Sequence, residues 1–147
     1  MIDDPMNDTT NETMLDAFDE FADVGTSIAS FVSNGTVTTT ADTSLRDAAV
    51  MLDQAGVGCI VIGTAPAVEG VVSERDIVRA VAAGLDLDAV TVGEIETKEL
   101  KWATPDSGVT DVAAEMLENY VRHVLVGEDG SIVGVVSMRD LLGAFVE

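Results

Sequence analysis

The chain has 147 residues, of which 47% are apolar, and its 27 acidic side chains against 7 basic ones give a net charge of −20. The apolar content predicts a folded protein of one compact domain or two very small ones. The charge excludes nucleic-acid binding through a basic face, and no apolar run reaches the roughly 18 residues of a membrane span.

The basic residues are unusual in kind as well as few, because only Lys98 and Lys101 are lysines. An acid-rich, lysine-poor surface resembles that of cytoplasmic proteins from salt-accumulating halophiles, where molar salt screens the self-repulsion. An ordinary acidic protein is the alternative. The N-terminus lacks the positive charge and apolar stretch of a signal peptide, so we expect a cytoplasmic location.

One cysteine and one histidine, Cys59 and His123, are present in the whole sequence. A single cysteine cannot form an internal disulfide, and one residue of each kind does not make a Cys/His zinc site. We therefore expect no structural metal.

The first predicted element is a helix in residues 9–23. Thr9 and Glu12 have the spacing of a capping box, and the apolar residues that follow share one helical face. Eight acidic residues and no basic one fall within residues 1–23. We expect an acidic leader helix that docks on this module or on a second copy.

Residues 24–84 then predict a strand, a helix, two strands and a second helix. TVTTT predicts a short extended stretch. SLRDAAVMLDQAG predicts a helix, because Ser44 and Asp47 have capping-box spacing and Gly56 suits the end of the helix. VGCIVIG and VEGVV are β-branched strands separated by GTAPA. SERDIVRAVAAG begins with a second capping box, Ser73 to Asp76, and ends at Gly84.

Residues 85–147 form a linker followed by a copy of this pattern. An offset of 64 aligns residues 40–81 with 104–145 without a gap, and 13 of the 42 pairs are identical, including the run GVVS. The copy predicts a helix at 107–119, strands VRHVLV and SIVGVV around the turn GEDG, and a helix from Ser137. VGEI at 92–95 is a looser counterpart of SIASF at 27–31, so the linker belongs to the repeated pattern.

Each predicted unit is too small to bury both faces of its own sheet. We therefore expect an α/β (α+β) fold in which two β-α-β-β-α repeats, related by a pseudo-twofold axis, pack sheet to sheet.

The phrase G-V-V-S-x-R-D occurs once per repeat, where the last strand enters the last helix, and it resembles the CBS domain, named after cystathionine β-synthase. The resemblance covers roughly residues 24–146. It implies a tandem pair whose cleft binds an adenosine-containing ligand such as AMP, ADP, ATP or S-adenosylmethionine, with no required cofactor. It also implies that two pairs associate as a disc-shaped homodimer. Because the chain ends directly after the last helix, any output is expected to act on a separate effector protein.

The junction of strand and helix offers the chemistry for such a ligand. Asp76 or Asp140 can accept both ribose hydroxyl protons, while Ser73 or Ser137 and the free N–H groups at the helix start can bind a phosphate. The same Ser-x-x-Asp spacing is itself a capping box that stabilises the helix with no ligand, so the spacing alone leaves both roles open.

Matching the family motif adds further candidates. Gly58 and Cys59 align with Arg122 and His123 on the middle strand, at a position that faces the phosphates in the family. We expect two unequal sites: a more anionic ligand on the Arg122/His123 side, and a base or neutral adenosyl group on the Gly58/Cys59 side. His123 can instead fill a gap at the cleft edge, and Cys59 can be a small buried apolar residue.

Other matched residues have open alternatives. Arg75 and Arg139 can contact phosphate or pair with the acidic surface, which we favour; Thr40 and Thr104 can supply a ligand hydroxyl or cap a loop. The family often has a basic residue ahead of the first helix or in the linker, where this chain has only its two lysines, which argues more against a triphosphate than a monophosphate. The candidate ligand-binding residues are Thr40, Gly58, Cys59, Ile60, Ser73, Arg75, Asp76, Thr104, Arg122, His123, Val124, Ser137, Arg139 and Asp140.

Three functions compete on this sequence. The paired Ser-x-x-Asp motifs favour a ligand sensor. The Gly58/Cys59 position, which offers almost no polar side chain, and the leader helix favour a dimerisation or scaffold module with vestigial sites. Ser137, His123 and Asp140 have the residue types of a hydrolytic triad. However, GVVSMRD is not a G-x-S-x-G elbow, and the matching Ser73 lies in a repeat without histidine. We therefore expect no enzymatic activity.

Overall fold

A computed structural model describes residues 26–32, 36–64, 67–128 and 131–145. The predicted leader helix at 9–23 lies outside the described residues, as do positions 65–66 and 129–130 in the two predicted turns. Among the helices of the described residues, none is long and apolar enough to cross a membrane.

The first repeat has the five elements that its periodicity predicts. They are β1 (Thr38–Thr39), α1 (Leu45–Ala55), β2 (Cys59–Thr64), β3 (Ala67–Ser73) and α2 (Glu74–Ala82). Ser44 caps α1 by accepting a hydrogen bond from the Asp47 N–H at 3.1 Å, and Gly56 ends it with a φ of 65°. Glycine adopts this left-handed conformation without steric cost, so the predicted end of the helix is confirmed.

The second repeat follows a short linker helix, α3 (Val92–Ile95). Its elements are β4 (Trp102–Ala103), α4 (Val109–Asn119), β5 (His123–Glu128), β6 (Ser131–Ser137) and α5 (Met138–Leu142), after which a 3₁₀ turn covers Gly143–Phe145. The sequence predicted α4 from about Ser107, but the helix begins two residues later. Ser107 Oγ instead accepts a hydrogen bond from the Thr104 N–H at 3.0 Å and closes the preceding turn.

Each repeat contributes one three-stranded sheet with the same topology. β1 runs parallel to β2, and β2 runs antiparallel to β3; β4, β5 and β6 repeat this order. The pairings Thr38 with Val61 and Trp102 with Leu125 lie 64 residues apart, and both sheets have an irregularity at the matched glycines Gly63 and Gly127. The predicted repeat is therefore confirmed in its strand register.

Each repeat also has an apolar core between its sheet and its helices, and each core includes a residue from a flanking segment. Ile28, which precedes β1 in sequence, is buried in the core of the second repeat; Val92, in the linker, is buried in the core of the first. Backbone bonds hold these segments, since the Ile28 N–H donates to Ser107 O at 2.9 Å and the Val92 N–H to Thr43 O at 2.8 Å. The two repeats are thus interlocked.

The second face of each sheet is also covered. Val61 and Leu125 are only 2% and 3% exposed, although neither belongs to the core of its own repeat. Successive side chains of a strand point to opposite faces, so both residues lie on the face away from their own helices. Their burial agrees with the predicted sheet-to-sheet packing.

Candidate functional site

The Ser-x-x-Asp motifs form complete capping boxes in both repeats. The Ser73 N–H donates to Asp76 Oδ2 at 2.9 Å while the Asp76 N–H donates to Ser73 Oγ at 3.3 Å. In the second repeat the Ser137 N–H donates to Asp140 Oδ2 and the Asp140 N–H to Ser137 Oγ, both at 2.9 Å. A carboxylate can accept about four hydrogen bonds, so capping and ligand binding do not exclude each other.

A cavity of about 840 Å³, the Asp140 cavity, opens beside the motif of the second repeat. Ser137, Arg139 and Asp140 supply one wall of it. The opposite wall comes from the first repeat, including Gly56 and Val57, which connect α1 to β2. Residues of both repeats therefore line this cavity.

A smaller cavity of about 260 Å³, the Asp76 cavity, has the reciprocal construction. Ser73 and Asp76 of the first repeat face Lys101, Tyr120 and Val121 of the second. The last three residues match Val37, Gly56 and Val57 of the Asp140 cavity at the 64-residue offset, so the pseudo-twofold relation holds for the cavities as well as for the sheets.

Basic side chains gather around these cavities. Five of the seven basic residues of the chain line one or both of them: Arg75, Arg79, Lys101, Arg122 and Arg139. The Asp76 cavity has four basic and three acidic lining residues, whereas the Asp140 cavity has two basic and three acidic ones. The sequence predicted the more anionic ligand on the Arg122/His123 side, but both residues line both cavities and do not distinguish them. In a protein of net charge −20, the additional basic residues Arg75, Arg79 and Lys101 instead make the surroundings of the Asp76 cavity the more favourable for an anion.

The two cavities share a wall made of Gly58, Cys59, Glu74, Arg122 and His123. The wall is tightly packed at Gly58, where a Cβ would lie 2.7 Å from Glu74 Oε1 and 3.0 Å from His123 Nε2. Glycine at this position thus allows the histidine of the second repeat to pack against the first.

The two matched residues of the shared wall are both neutral near pH 7. Burial lowers the pKa of His123 below its usual 6.5, although the carboxylates of Glu74 and Asp140 partly oppose this effect. Burial, with a smaller contribution from the Asp76 charge, raises the pKa of the Cys59 thiol to about 12. Neither side chain therefore presents a charge to a ligand at neutral pH.

Ten of the fourteen predicted site residues line one or both cavities, and four do not. The hydroxyls of Thr40 and Thr104 lie outside both linings, where each donates to a nearby loop aspartate, Asp42 or Asp106. Ile60 and Val124 point into the apolar cores with 0% and 1% exposure. Arg75 and Arg139, for which the sequence favoured surface pairing, both line cavities.

Sequence reasoning missed Glu74, Arg79 and Tyr120, which line the Asp76 cavity. Tyr120 lies 64 residues after Gly56, so the repeat register contained a signal once the helix ends were known to line the cavities. Within the described ranges, no group of three histidine, cysteine or carboxylate side chains is arranged to hold a metal ion.

Comparison with known proteins identifies the family. The CBS domain model matches residues 23–83 and 92–147, and the chain therefore belongs to the CBS-domain family as a tandem pair. The fold agrees with that of solved CBS-domain structures.

Two curated relatives are similar to this chain. An uncharacterised 17.7 kDa protein of Acidianus ambivalens is 39% identical over 89 residues, which are 60% of this chain and 53% of the relative. The mitochondrial CBS domain-containing protein CBSX3 of Arabidopsis thaliana is 33% identical over 113 residues, or 73% of this chain and 55% of the relative. The chain thus spans about half the length of these two proteins.

Three solved structures share the fold. An uncharacterised conserved protein from Pyrococcus horikoshii has a TM-score of 0.78 at 28% identity, over 85% of this chain and 96% of that one. The CBS domain protein PAE2072 from Pyrobaculum aerophilum, complexed with AMP, has a TM-score of 0.71 at 31% identity over 78% and 88%. The CBS domain pair of protein MJ0100, in complex with 5′-methylthioadenosine and S-adenosyl-L-methionine, has a TM-score of 0.74 at 25% identity over 82% and 95%.

Proposed function

We propose that this CBS pair is a regulatory module that binds an adenosine-containing ligand, AMP, ADP, ATP or S-adenosylmethionine, between its repeats. Binding would then alter the activity of a partner protein. The observation that carries the proposal is the concentration of five of seven basic residues around two cavities that each contain a Ser-x-x-Asp motif.

The chemistry of each cavity suits the parts of an adenosyl ligand. Asp76 and Asp140, one turn into their helices, can accept the two adjacent ribose hydroxyls. The arginines that line the cavities can bind phosphate oxygens in a bidentate manner. The structural neighbours that hold AMP, or 5′-methylthioadenosine with S-adenosylmethionine, support the same ligand class for this chain.

The two cavities favour different members of that class. The Asp76 cavity, with its four basic residues and only about 260 Å³, suits an anionic ligand as small as a nucleoside monophosphate. The Asp140 cavity has more acidic than basic lining residues, and its 840 Å³ falls within the roughly 300–1,000 Å³ of ordinary small-molecule sites. It suits a neutral or cationic adenosyl compound such as S-adenosylmethionine.

Calorimetric titration in molar KCl tests the proposal, with each of the four ligands added to the wild type, Asp76→Asn and Asp140→Asn. A carboxylate that binds ribose contributes roughly 1.5 to 3 kcal/mol, so we expect a ten- to hundred-fold loss of affinity in the variant of the occupied cavity. Glu118→Gln removes an exposed charge outside both cavities and is the matched control.

The scaffold function is the second candidate, because both capping boxes are complete without a ligand and apolar side chains are exposed. Val50, Val78 and Val81 on α1 and α2 are 46%, 65% and 57% exposed.

We propose that two copies of the chain associate through the exposed valines of α1 and α2, whether the function is ligand sensing or scaffolding. Sedimentation should show a dimer that Val81→Glu weakens and that Val133→Glu, on β6, leaves unchanged. If calorimetry of a folded dimer shows no binding heat with any of the four ligands, the scaffold function is supported.

A further inference from the structure

Tyr120 has a backbone conformation that its residue type disfavours. It follows α4 with φ 55° and ψ 36°, in the left-handed region, and it is the one non-glycine residue with positive φ in the described part of the chain. A Cβ in this region approaches the following carbonyl, so a bulky residue is an outlier there. The matched residue in the first repeat is Gly56, with φ 65°.

Packing does not offset this strain. The Tyr120 side chain is 88% exposed, so its ring gains little from burial in the protein itself. Its N–H donates to Met116 O, but that bond is made by the backbone and needs no ring. Gly56 ends the equivalent helix with the same turn, so the fold of the repeat does not require a side chain at this position.

The ring does, however, line the Asp76 cavity. The apolar residues Leu100 and Val121 and the Ser73–Asp76 motif line the same cavity. In the Asp140 cavity the equivalent space is open, since a Cβ on Gly56 would find no atom within 4 Å. A strained, exposed aromatic residue at the edge of a cavity indicates a role in binding.

We propose that the Tyr120 ring stacks on the planar base of the adenosyl ligand in the Asp76 cavity and makes that cavity selective for purine-bearing compounds. The inference rests on the proposed function. Stacking of a base on an aromatic side chain contributes roughly five- to hundred-fold to affinity. The Asp140 cavity, with glycine at the equivalent position, gains no such contribution.

The chain contains one tyrosine, which gives the experiment a residue-specific probe. Protein labelled with 3-fluorotyrosine has a single ¹⁹F resonance, and AMP is the titrant in molar KCl. We expect this resonance to shift on addition of AMP, to stay in place in Asp76→Asn, and to shift normally in Asp140→Asn.

Substitutions separate stacking from a structural role. Tyr120→Gly should weaken AMP binding at least about five-fold, while the unliganded protein melts roughly 2 to 4 °C higher because the strain is relieved. Tyr120→Phe should bind AMP within about two-fold of the wild type, since it keeps the ring. A lower melting temperature of Tyr120→Gly, with unchanged affinity, would mean that the ring serves the fold, and it would overturn the inference.

The remaining outcomes distinguish this inference from the function beneath it. In one outcome, AMP binding depends on Asp76 while Tyr120→Gly binds AMP within two-fold of the wild type and the ¹⁹F resonance of the labelled wild type does not move. That result would contradict the stacking and leave the ligand-binding function in place. Binding that depends on Asp140 alone overturns the stacking as well. No binding heat with any of AMP, ADP, ATP and S-adenosylmethionine, together with no ¹⁹F shift on addition of AMP, would overturn both the stacking and the ligand-binding function.

Discussion

The two cavities share a backbone hydrogen bond and the Ser-x-x-Asp motif, but they differ in side chains from the opposite repeat. In both, the first N–H of the last helix donates to the middle-strand connection of its own repeat, from Glu74 to Gly58 O at 3.0 Å and from Met138 to Arg122 O at 2.8 Å. The motif residues of the two cavities are the same, since Ser73, Arg75 and Asp76 match Ser137, Arg139 and Asp140. The opposite repeat contributes the differences, because Val37 and Gly56 of the Asp140 cavity match Lys101 and Tyr120 of the Asp76 cavity. The motif is therefore repeated, whereas two of the positions that the opposite repeat contributes have diverged.

Two basic or polar side chains are common to the two cavities. Arg122 and His123 belong to the second repeat in sequence, yet they line both cavities. A ligand that draws the Arg122 guanidinium into one cavity would remove a positive charge from the other. We therefore propose that ligand binding in one cavity affects binding in the other.

Core substitutions should have the largest effect and test whether the repeats fold as one unit. Leu45→Ala in the first core and Met116→Ala in the second, at residues 0% and 1% exposed, should each lower the free energy of unfolding by about 2 to 5 kcal/mol. Because the cores are interlocked, urea denaturation in molar KCl should show a single transition in both variants. Val133→Ala, half exposed on β6, should change stability by under about 0.5 kcal/mol. Two separate transitions would contradict the interlocked fold.

The arginines give the next largest effect and break the symmetry between cavities. Arg122→Gln should weaken an anionic ligand about ten-fold or more in whichever cavity it binds, because Arg122 lines both. Arg139→Gln should affect only a ligand that depends on Asp140, since Arg139 lines that cavity alone. Calorimetry measures the AMP affinity of both variants. Arg46→Gln, which breaks an exposed ion pair with Asp88, is the control. Equal losses in Arg122→Gln and Arg46→Gln would show a long-range charge effect.

Removal of the capping hydroxyls should cost less and should be equal in the two repeats. Ser73→Ala and Ser137→Ala should each destabilise the unliganded protein by about 1 kcal/mol, the usual contribution of an N-cap side chain. Thermal unfolding checks this, with exposed Ser131→Ala as the control. An effect in one variant only would mean that the two capping boxes differ in strength.

The smallest effect is the pH dependence from His123. Its pKa is lowered by burial, so the unfolded chain binds more protons than the folded protein as the pH falls below about 6.5. The stability contributed by the neutral ring is complete above that pH and is lost on acidification toward the folded-state pKa. His123→Gln should therefore reduce the loss of stability between pH 7.5 and 5.5, while Cys59→Ala should leave that loss unchanged. The same slope in wild type and His123→Gln would show that carboxylates alone cause it.

Much of the local structure could be predicted from the sequence, because its causes are local. The capping residues Ser44, Ser73 and Ser137 form the predicted bonds, and Gly56 ends α1 in the left-handed conformation. Helix α4 begins two residues after its predicted start near Ser107, because the Ser107 hydroxyl accepts from the Thr104 N–H and closes the preceding turn. Ile60 and Val124 were included as candidates by position along the motif, but strand alternation points them into the cores.

The sequence by itself determined the repeat, its elements and the Ser-x-x-Asp motifs, because periodicity, capping and a 64-residue offset depend only on residues near each other in the chain or on their copies. Only the tertiary structure decided which wall faces which motif. Each cavity joins Asp76 or Asp140 to residues of the opposite repeat, and Ile28 and Val92 are buried in the second and the first core. The cavities between repeats exist because two small sheets bury their second faces against each other, a requirement that appears only when both halves are folded together.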